Sequence, residues 1–163
     1  MLLDGDTLIS TKIRCVVASE CGFTYGTTLR VKDTCLCLHV QRVARSLARR
    51  FDEAFRPFDL TNQQFSLLMS LNRPEPPPMG PVADLLAIDR TTLTAALKPL
   101  ERRGLVKVLP NPEDGRSRVL KLTPRGKQLL EKAMPVWEST HAELDEKLKG
   151  ESESLRKALM SLL

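Results

Sequence analysis

The sequence predicts a mainly α-helical chain that carries one small β-hairpin. Three observations predict it. In Ile88-Asp-Arg-Thr-Thr-Leu-Thr-Ala-Ala-Leu-Lys98 and the residues just after it, Leu93, Leu97 and Leu100 recur at offsets of four and three, the apolar stripe of an amphipathic helix. Ahead of that run, Pro81-Val-Ala-Asp-Leu85-Leu86 reads as a short helix, joined to it by a tight connection at Ala87 to Asp89. After it, Leu105-Val-Lys-Val-Leu109 and Arg118-Val-Leu-Lys-Leu122 read as two strands around a turn-rich tip, Pro110-Asn-Pro-Glu-Asp-Gly115. Helix, turn, helix and two strands in this order describe a winged helix-turn-helix, its second helix shaped to enter a major groove.

Each boundary has a chemical reason. Asp89 is suited to cap the second helix, because its carboxylate can accept from the free N–H groups of the first turn. Pro81 suits the first turn of the preceding helix, and Gly104 ends the second one where left-handed backbone angles are tolerated. Pro99 lies inside the second helix and costs about 3 kcal/mol in a regular one, so the helix is expected to bend after Lys98 or to end its DNA-reading part there.

The remaining elements follow from the N-terminus. Residues 1 to 33 hold short Thr/Val/Ile pieces and the glycines Gly5, Gly22 and Gly26, with no helical period, and read as a partly ordered extension. From Thr34 to Phe55 a long helix is expected, since Leu36, Val40, Val43, Leu47, Phe51 and Phe55 step by three or four. Pro57 and Asp59 break it, and Thr61 opens the next helix with Gln64 three residues on, a capping-box pattern. Five prolines make Asn72 to Pro81 a stiff connecting loop. Thr123-Pro124 starts a helix that runs to Leu148, with a kink expected at Pro135. After Gly150, Leu155, Leu159, Leu162 and Leu163 mark a last amphipathic helix. The domain reading is an extension over 1–33 and one domain over 34–163, with a helix-turn-helix and wing core at 61–123. The outer helices, 34–56 and 124–163, have apolar stripes with little left in one small core to pack on, so they are expected to make a homodimer.

Composition narrows the function. Aromatics are only 4%, which leans helical, and a net charge of +5 with a pI near 9.2 favours a polyanionic partner. The excess is local: ten Lys/Arg face six Asp/Glu over 61–126, against six and seven over 127–163. No apolar run approaches the roughly 18 residues of a membrane span, and Met1-Leu-Leu-Asp-Gly-Asp does not read as a signal peptide; a cytoplasmic protein without membrane partners is expected. Its four cysteines are then expected to stay reduced.

On the exposed side of the second helix lie Arg90, Thr91, Thr92, Thr94 and Lys98, cationic and hydroxyl-rich with no acid, which suits phosphates and base edges. The hydroxyls and charges of the first turn can equally cap it or face water. The wing tip, Glu113-Asp-Gly-Arg-Ser-Arg118, offers Gly115 for the turn and Asp114 to pair with and orient an arginine.

The runs Asp89-Arg-Thr-Thr-Leu-Thr, Leu100-Glu-Arg-Arg-Gly-Leu-Val106, Asp114-Gly-Arg116 and Leu122-Thr-Pro-Arg-Gly126 together resemble the MarR family of winged-helix transcriptional regulators. The resemblance covers roughly residues 35 to 163. It implies a dimer that reads a pseudo-palindromic operator on double-stranded DNA, most often as a repressor. It also implies Arg116 as the wing arginine of the minor groove; Arg118 is a second, weaker candidate for DNA contact, and the alternative for both is a solvated charge on the hairpin. A pocket for a small anionic or phenolic ligand is implied between the dimer helices and the DNA-binding lobe, whose occupation shifts half-site spacing.

The cysteines open a second reading. By resemblance, Cys37 falls where the organic-hydroperoxide-sensing branch of the family carries its reactive cysteine, and Cys35 lies two residues before it. That branch holds the thiolate with tyrosines at positions that are Gln41 and Phe51 here, so the groups that activate the thiol are missing. Zinc is not expected, since the spacings among Cys15, Cys21, Cys35 and Cys37 are not those of structural sites; His39 and His141 are far apart in sequence, which by itself does not forbid a shared site. No catalytic motif is present, and neither an enzyme nor a cofactor is expected. A different class, a sequence-independent architectural DNA binder, would bind random duplex as tightly as its best site.

Overall fold

A computed structural model describes residues 23–163, so Gly5, Gly22, Cys15 and Cys21 lie outside the described residues. Seven α-helices and one hairpin follow in order: α1 (Tyr25–Thr34), α2 (Leu36–Phe55), α3 (Asn62–Ser70), α4 (Met79–Leu85), α5 (Arg90–Arg102), β1 (Val106–Pro110), β2 (Arg118–Leu122), α6 (Pro124–Lys147) and α7 (Ser152–Met160). The chain divides into two units, the first ending at Val40 and the second running from Gln41 to Leu163.

In the first unit, α1 is a regular helix within the extension expected to be partly ordered, where the sequence shows no helical period. Periodicity reports burial, and α1 buries no residue, so nothing in its pattern betrays it. The helix expected from Thr34 begins instead at Leu36, because Cys35 is extended (ψ 104°) and its Sγ accepts from the Leu38 N–H at 3.4 Å.

The second unit is built on one core. Phe51 and Phe55 of α2 meet Phe65 of α3, with Phe55 and Phe65 stacked at 4.5 Å between ring centroids. Of the stripe expected on the long second helix, only Phe51 and Phe55 are buried within the chain; Leu36, Val40 and Val43 stay exposed. A 3-10 turn at Arg56–Phe58 ends α2, and Asp59 closes it in the left-handed region (φ 52°). Thr61 then makes both halves of the expected capping box with Gln64, at 3.1 and 3.2 Å. Arg103 reaches back from the end of α5 to the Phe58 and Asp59 carbonyl oxygens, clasping this turn.

Three features set the helix-turn-helix. First, α4 begins at Met79, capped by an extended Pro78, so Pro81 sits in the first turn but does not open the helix. Second, Ala87, not a glycine, takes a left-handed angle (φ 50°) in the tight connection, and its N–H bonds the Asp84 carbonyl at 3.1 Å. Third, α5 runs through Pro99 to Arg102. The burial of Leu93, Leu97 and Leu100, each at most 2% exposed, outweighs the lost backbone bond, since fully burying such a side chain is worth about 1.5–3 kcal/mol. Likewise α6 continues across Pro135, as expected of the helix that Thr123 caps.

The hairpin is antiparallel and pairs Val106 with Leu122 through Pro110 with Arg118. Its first strand starts one residue later than expected, with buried Leu105 serving the core beside Leu100 and Leu120. The proline loop does more than connect. Leu120 donates to the Pro77 carbonyl at 2.9 Å, and Pro78 bridges Val119, so the loop covers the free edge of β2. Proline is tolerated there because an edge needs no further N–H donor.

Candidate nucleic-acid interface

The exposed face of α5 is held from beneath and from its end. Leu93, Leu97 and Leu100 anchor the helix in the core, leaving Arg90, Thr91, Thr92, Thr94 and Lys98 exposed. Asp89 caps it as expected: Oδ1 accepts the Thr92 N–H at 2.8 Å and Oδ2 accepts the Thr92 hydroxyl at 2.6 Å. The Thr92 hydroxyl, and after it the Thr92 N–H, hold the Asp89 carboxyl below the usual carboxylate range. Thr94 donates to the Arg90 carbonyl at 2.7 Å. Two of the three hydroxyl protons are therefore used inside the helix, and Thr91 keeps its own.

At the other end, Gly104 adopts the expected left-handed angle (φ 69°), and the Leu105 N–H closes on the Leu100 carbonyl at 2.9 Å. Glu101 accepts the Val108 N–H of β1 at 3.2 Å, which couples the last turn of α5 to the base of the wing. Sequence reasoning missed this contact, since an acid near a helix C-terminus carries no local signal for a strand partner.

The wing tip corrects two assignments. Asp114 makes no ion pair with Arg116 or Arg118 among the described residues; its Oδ1 accepts the Arg116 backbone N–H at 3.0 Å, and its carbonyl accepts from Ser117 N at 2.9 Å. It orients Arg116 through the backbone, an Asx-type turn that leaves the guanidinium unpaired. Gly115 is not in the left-handed region, and open space lies where its Cβ would sit, so the turn does not depend on glycine. Both Arg116 and Arg118 are exposed.

Two further cationic features were not anticipated. Lys107 and Lys121 sit directly opposite each other across the hairpin, a like-charge pair that is unfavourable without an anion nearby. Lys121 also joins Arg73 and Lys127 in lining a cleft of about 410 Å³ between the end of α3 and the start of α6. A second cavity, about 380 Å³ and mostly apolar, lies between α3, the end of α4 and α6, lined by Phe65, Met69, Leu85, Leu86, Met134 and Trp137. Cys35 is half-buried and Cys37 exposed. Phe51, at one of the positions where the peroxide-sensing branch has tyrosine, packs its ring on Phe55 and His141.

Among the described residues no helix is long and apolar enough to cross a membrane, and no cluster of His, Cys, Asp or Glu is arranged to hold a metal. A core-anchored helix with an acid-free cationic face, followed by a wing tipped with exposed arginine, defines a winged-helix protein. Residues 60–117 match the profile of the MarR family. Over 110 residues the chain is 31% identical to the multiple antibiotic resistance protein MarR of Escherichia coli, covering 67% of this chain and 76% of that protein. It is 28% identical over 128 residues to the organic hydroperoxide resistance transcriptional regulator of Bacillus subtilis, covering 78% and 86%. The crystal structure of the M. tuberculosis transcriptional regulator MosR in complex with DNA superposes with a TM-score of 0.72 at 35% identity, covering 78% of this chain and 92% of that one. The chain belongs to the MarR family and is a DNA-binding transcriptional regulator, not an enzyme.

Proposed function

We propose that the protein acts in the cytoplasm as a homodimeric repressor of a pseudo-palindromic operator, with α5 in the major groove and Arg116 in the minor groove. The observation that carries this reading is the Arg90–Lys98 face: exposed, free of acids, and fixed to the core by Leu93, Leu97 and Leu100. Phosphate contacts from Lys and Arg would supply affinity and a steep salt dependence, while base edges would supply selectivity. Dimerisation through residues 34–56 and 124–163 is supported by the apolar side chains those helices leave in water, among them Leu36, Val43, Leu155 and Leu159.

The apolar cavity between α3, α4 and α6 supports release by a small molecule. Its volume suits one aromatic acid or phenol, and Leu85 and Leu86 of its wall lead directly into the turn before α5. An occupant would then bias the setting of α5 relative to its partner's copy.

A second reading, thiol-based sensing of organic hydroperoxide through Cys37 with Cys35, is favoured by the exposure of Cys37 and by the likeness to the Bacillus subtilis regulator. Gln41 and Phe51 weigh against it, since neither side chain has the tyrosine hydroxyl of the sensing branch.

Gel-shift titration against the DNA flanking the protein's own gene, with scrambled duplex as control, tests the main reading. Specific binding should exceed scrambled binding by about 10³-fold or more. Equal binding to both duplexes would make the protein an architectural binder. Loss of binding on adding hydroperoxide, restored by reductant and abolished in Cys37→Ser, would promote the second reading over ligand release.

A further inference from the structure

The three threonines on the outer face of α5 differ in what they can offer a base pair. Thr92 Oγ1 lies 2.6 Å from Asp89 Oδ2, and Thr94 Oγ1 lies 2.7 Å from the Arg90 carbonyl oxygen. Chemistry sets the direction of both bonds. An ionised carboxylate and a peptide carbonyl can only accept, so each bridging proton belongs to the threonine. Turned outward, the two oxygens have lone pairs alone. Rotating Thr92 to donate outward would give up its bond to the cap, and rotating Thr94 would give up its bond to the first turn. Thr91 is exposed and makes no side-chain hydrogen bond among the described residues, so its proton stays available, as do the N–H groups of Arg90 and Lys98.

We infer that Thr92 and Thr94 determine operator specificity as hydrogen-bond acceptors, facing the amino groups of adenine N6 or cytosine N4 in the major groove. The donor work, toward N7 and O6 of guanine or O4 of thymine, falls to Arg90, Thr91 and Lys98. Each base type presents a distinct major-groove pattern, so the division fixes which edges the half-site must show to which residue. The inference rests on the reading of α5 as the groove-entering helix, and adds to it a sense of each hydrogen bond.

The test begins with operator selection from a random duplex library by the full-length protein. The selected half-site is then rebuilt with single-atom base changes: purine for adenine and 2-pyrimidinone for cytosine, which delete the amino group, and 7-deazaguanine, which deletes N7. Wild-type protein, Thr91→Val, Thr92→Val and Thr94→Val are titrated against each duplex. Valine keeps the branched shape and removes the hydroxyl.

We expect deletion of one amino group to weaken wild-type binding by about tenfold. The same duplex should cost Thr92→Val or Thr94→Val no further loss, because the partner oxygen is already gone. Thr91→Val should not couple to any amino deletion. The amino deletions on wild-type protein need no variant to fold, so they stand even where Thr92→Val loosens the cap. Coupling of Thr92→Val or Thr94→Val to 7-deazaguanine, or wild-type binding indifferent to every amino deletion, would overturn the inference while leaving groove reading by α5 intact. Failure to select any operator would overturn both.

Discussion

The hydroxyl of Thr123 donates to the carbonyl oxygen of Gly104 at 2.8 Å and also accepts the Gly126 N–H at 3.0 Å. One side chain thereby ties the residue that ends α5 to the first turn of α6, across the whole length of the wing. The position of the DNA-facing helix relative to the long helix is held at this point.

Replacing Thr123 by Val keeps the shape and removes these bonds, along with the 3.0 Å contact of the same hydroxyl to the Leu105 carbonyl oxygen. A loss of about 1–2 kcal/mol in unfolding free energy is expected from the cap and the stranded Gly104 carbonyl, read from urea denaturation. Thr123→Ser should retain most of that stability. Equal losses in both variants would mean that the methyl, not the hydroxyl, is what matters.

Three glycines should respond differently to alanine. At Gly126 a Cβ would drive into the Leu105 carbonyl oxygen and come within 2.7 Å of Leu122 Cδ1, so about 1–3 kcal/mol should be lost to overpacking. Gly104→Ala has open space but a left-handed backbone (φ 69°), and about 1 kcal/mol is expected. At the wing tip, Gly115→Ala meets neither obstacle and should change stability by less than about 0.5 kcal/mol. Thermal melts of the three variants would test this ordering.

The cap of α5 should titrate. Because the Thr92 donors depress the Asp89 pKa in the folded state, its contribution is complete above the unfolded value of about 3.9 and is lost as pH falls through the folded value. The stability gap between wild type and Asp89→Ala should be constant above about pH 5 and close in acid. Circular dichroism during urea titrations from pH 2.5 to 7 measures it; a gap that persists unchanged at the acid end would remove the carboxylate from the account.

Arg116 is exposed and has no acidic partner among the described residues, so Arg116→Ala should leave folding unchanged. Operator affinity should fall about tenfold and the slope of log K against log salt should shrink by about 1. Arg118→Ala should do less, and Asp114→Ala should mimic part of the Arg116 loss by loosening the turn. Unchanged affinity in Arg116→Ala would disprove the wing assignment.

Much of the fold was legible because it is decided within one or two helical turns. The Asp89, Thr61 and Thr123 caps, the buried stripe of Leu93, Leu97 and Leu100, and the left-handed Gly104 each rest on neighbours at short sequence separation. Helix α1 was not legible, since a helix that buries nothing shows no period. The role of Asp114 is not legible either: its charge suggests an ion pair, but the turn aims its lone pairs at a backbone N–H.

By itself, then, the sequence determined the order of elements after α1, the caps at Thr61, Asp89 and Thr123 and the identity of the basic face, all products of local chemistry and periodic burial. Only the tertiary structure decided the pairing of Pro77 and Pro78 with β2, the Glu101 contact to Val108, and the close approach of Gly126 to Leu105. It also decided which threonine protons on α5 remain available. Those features join atoms whose meeting depends on how the core packs or which rotamer each side chain takes, and neither is written in any residue's immediate neighbours.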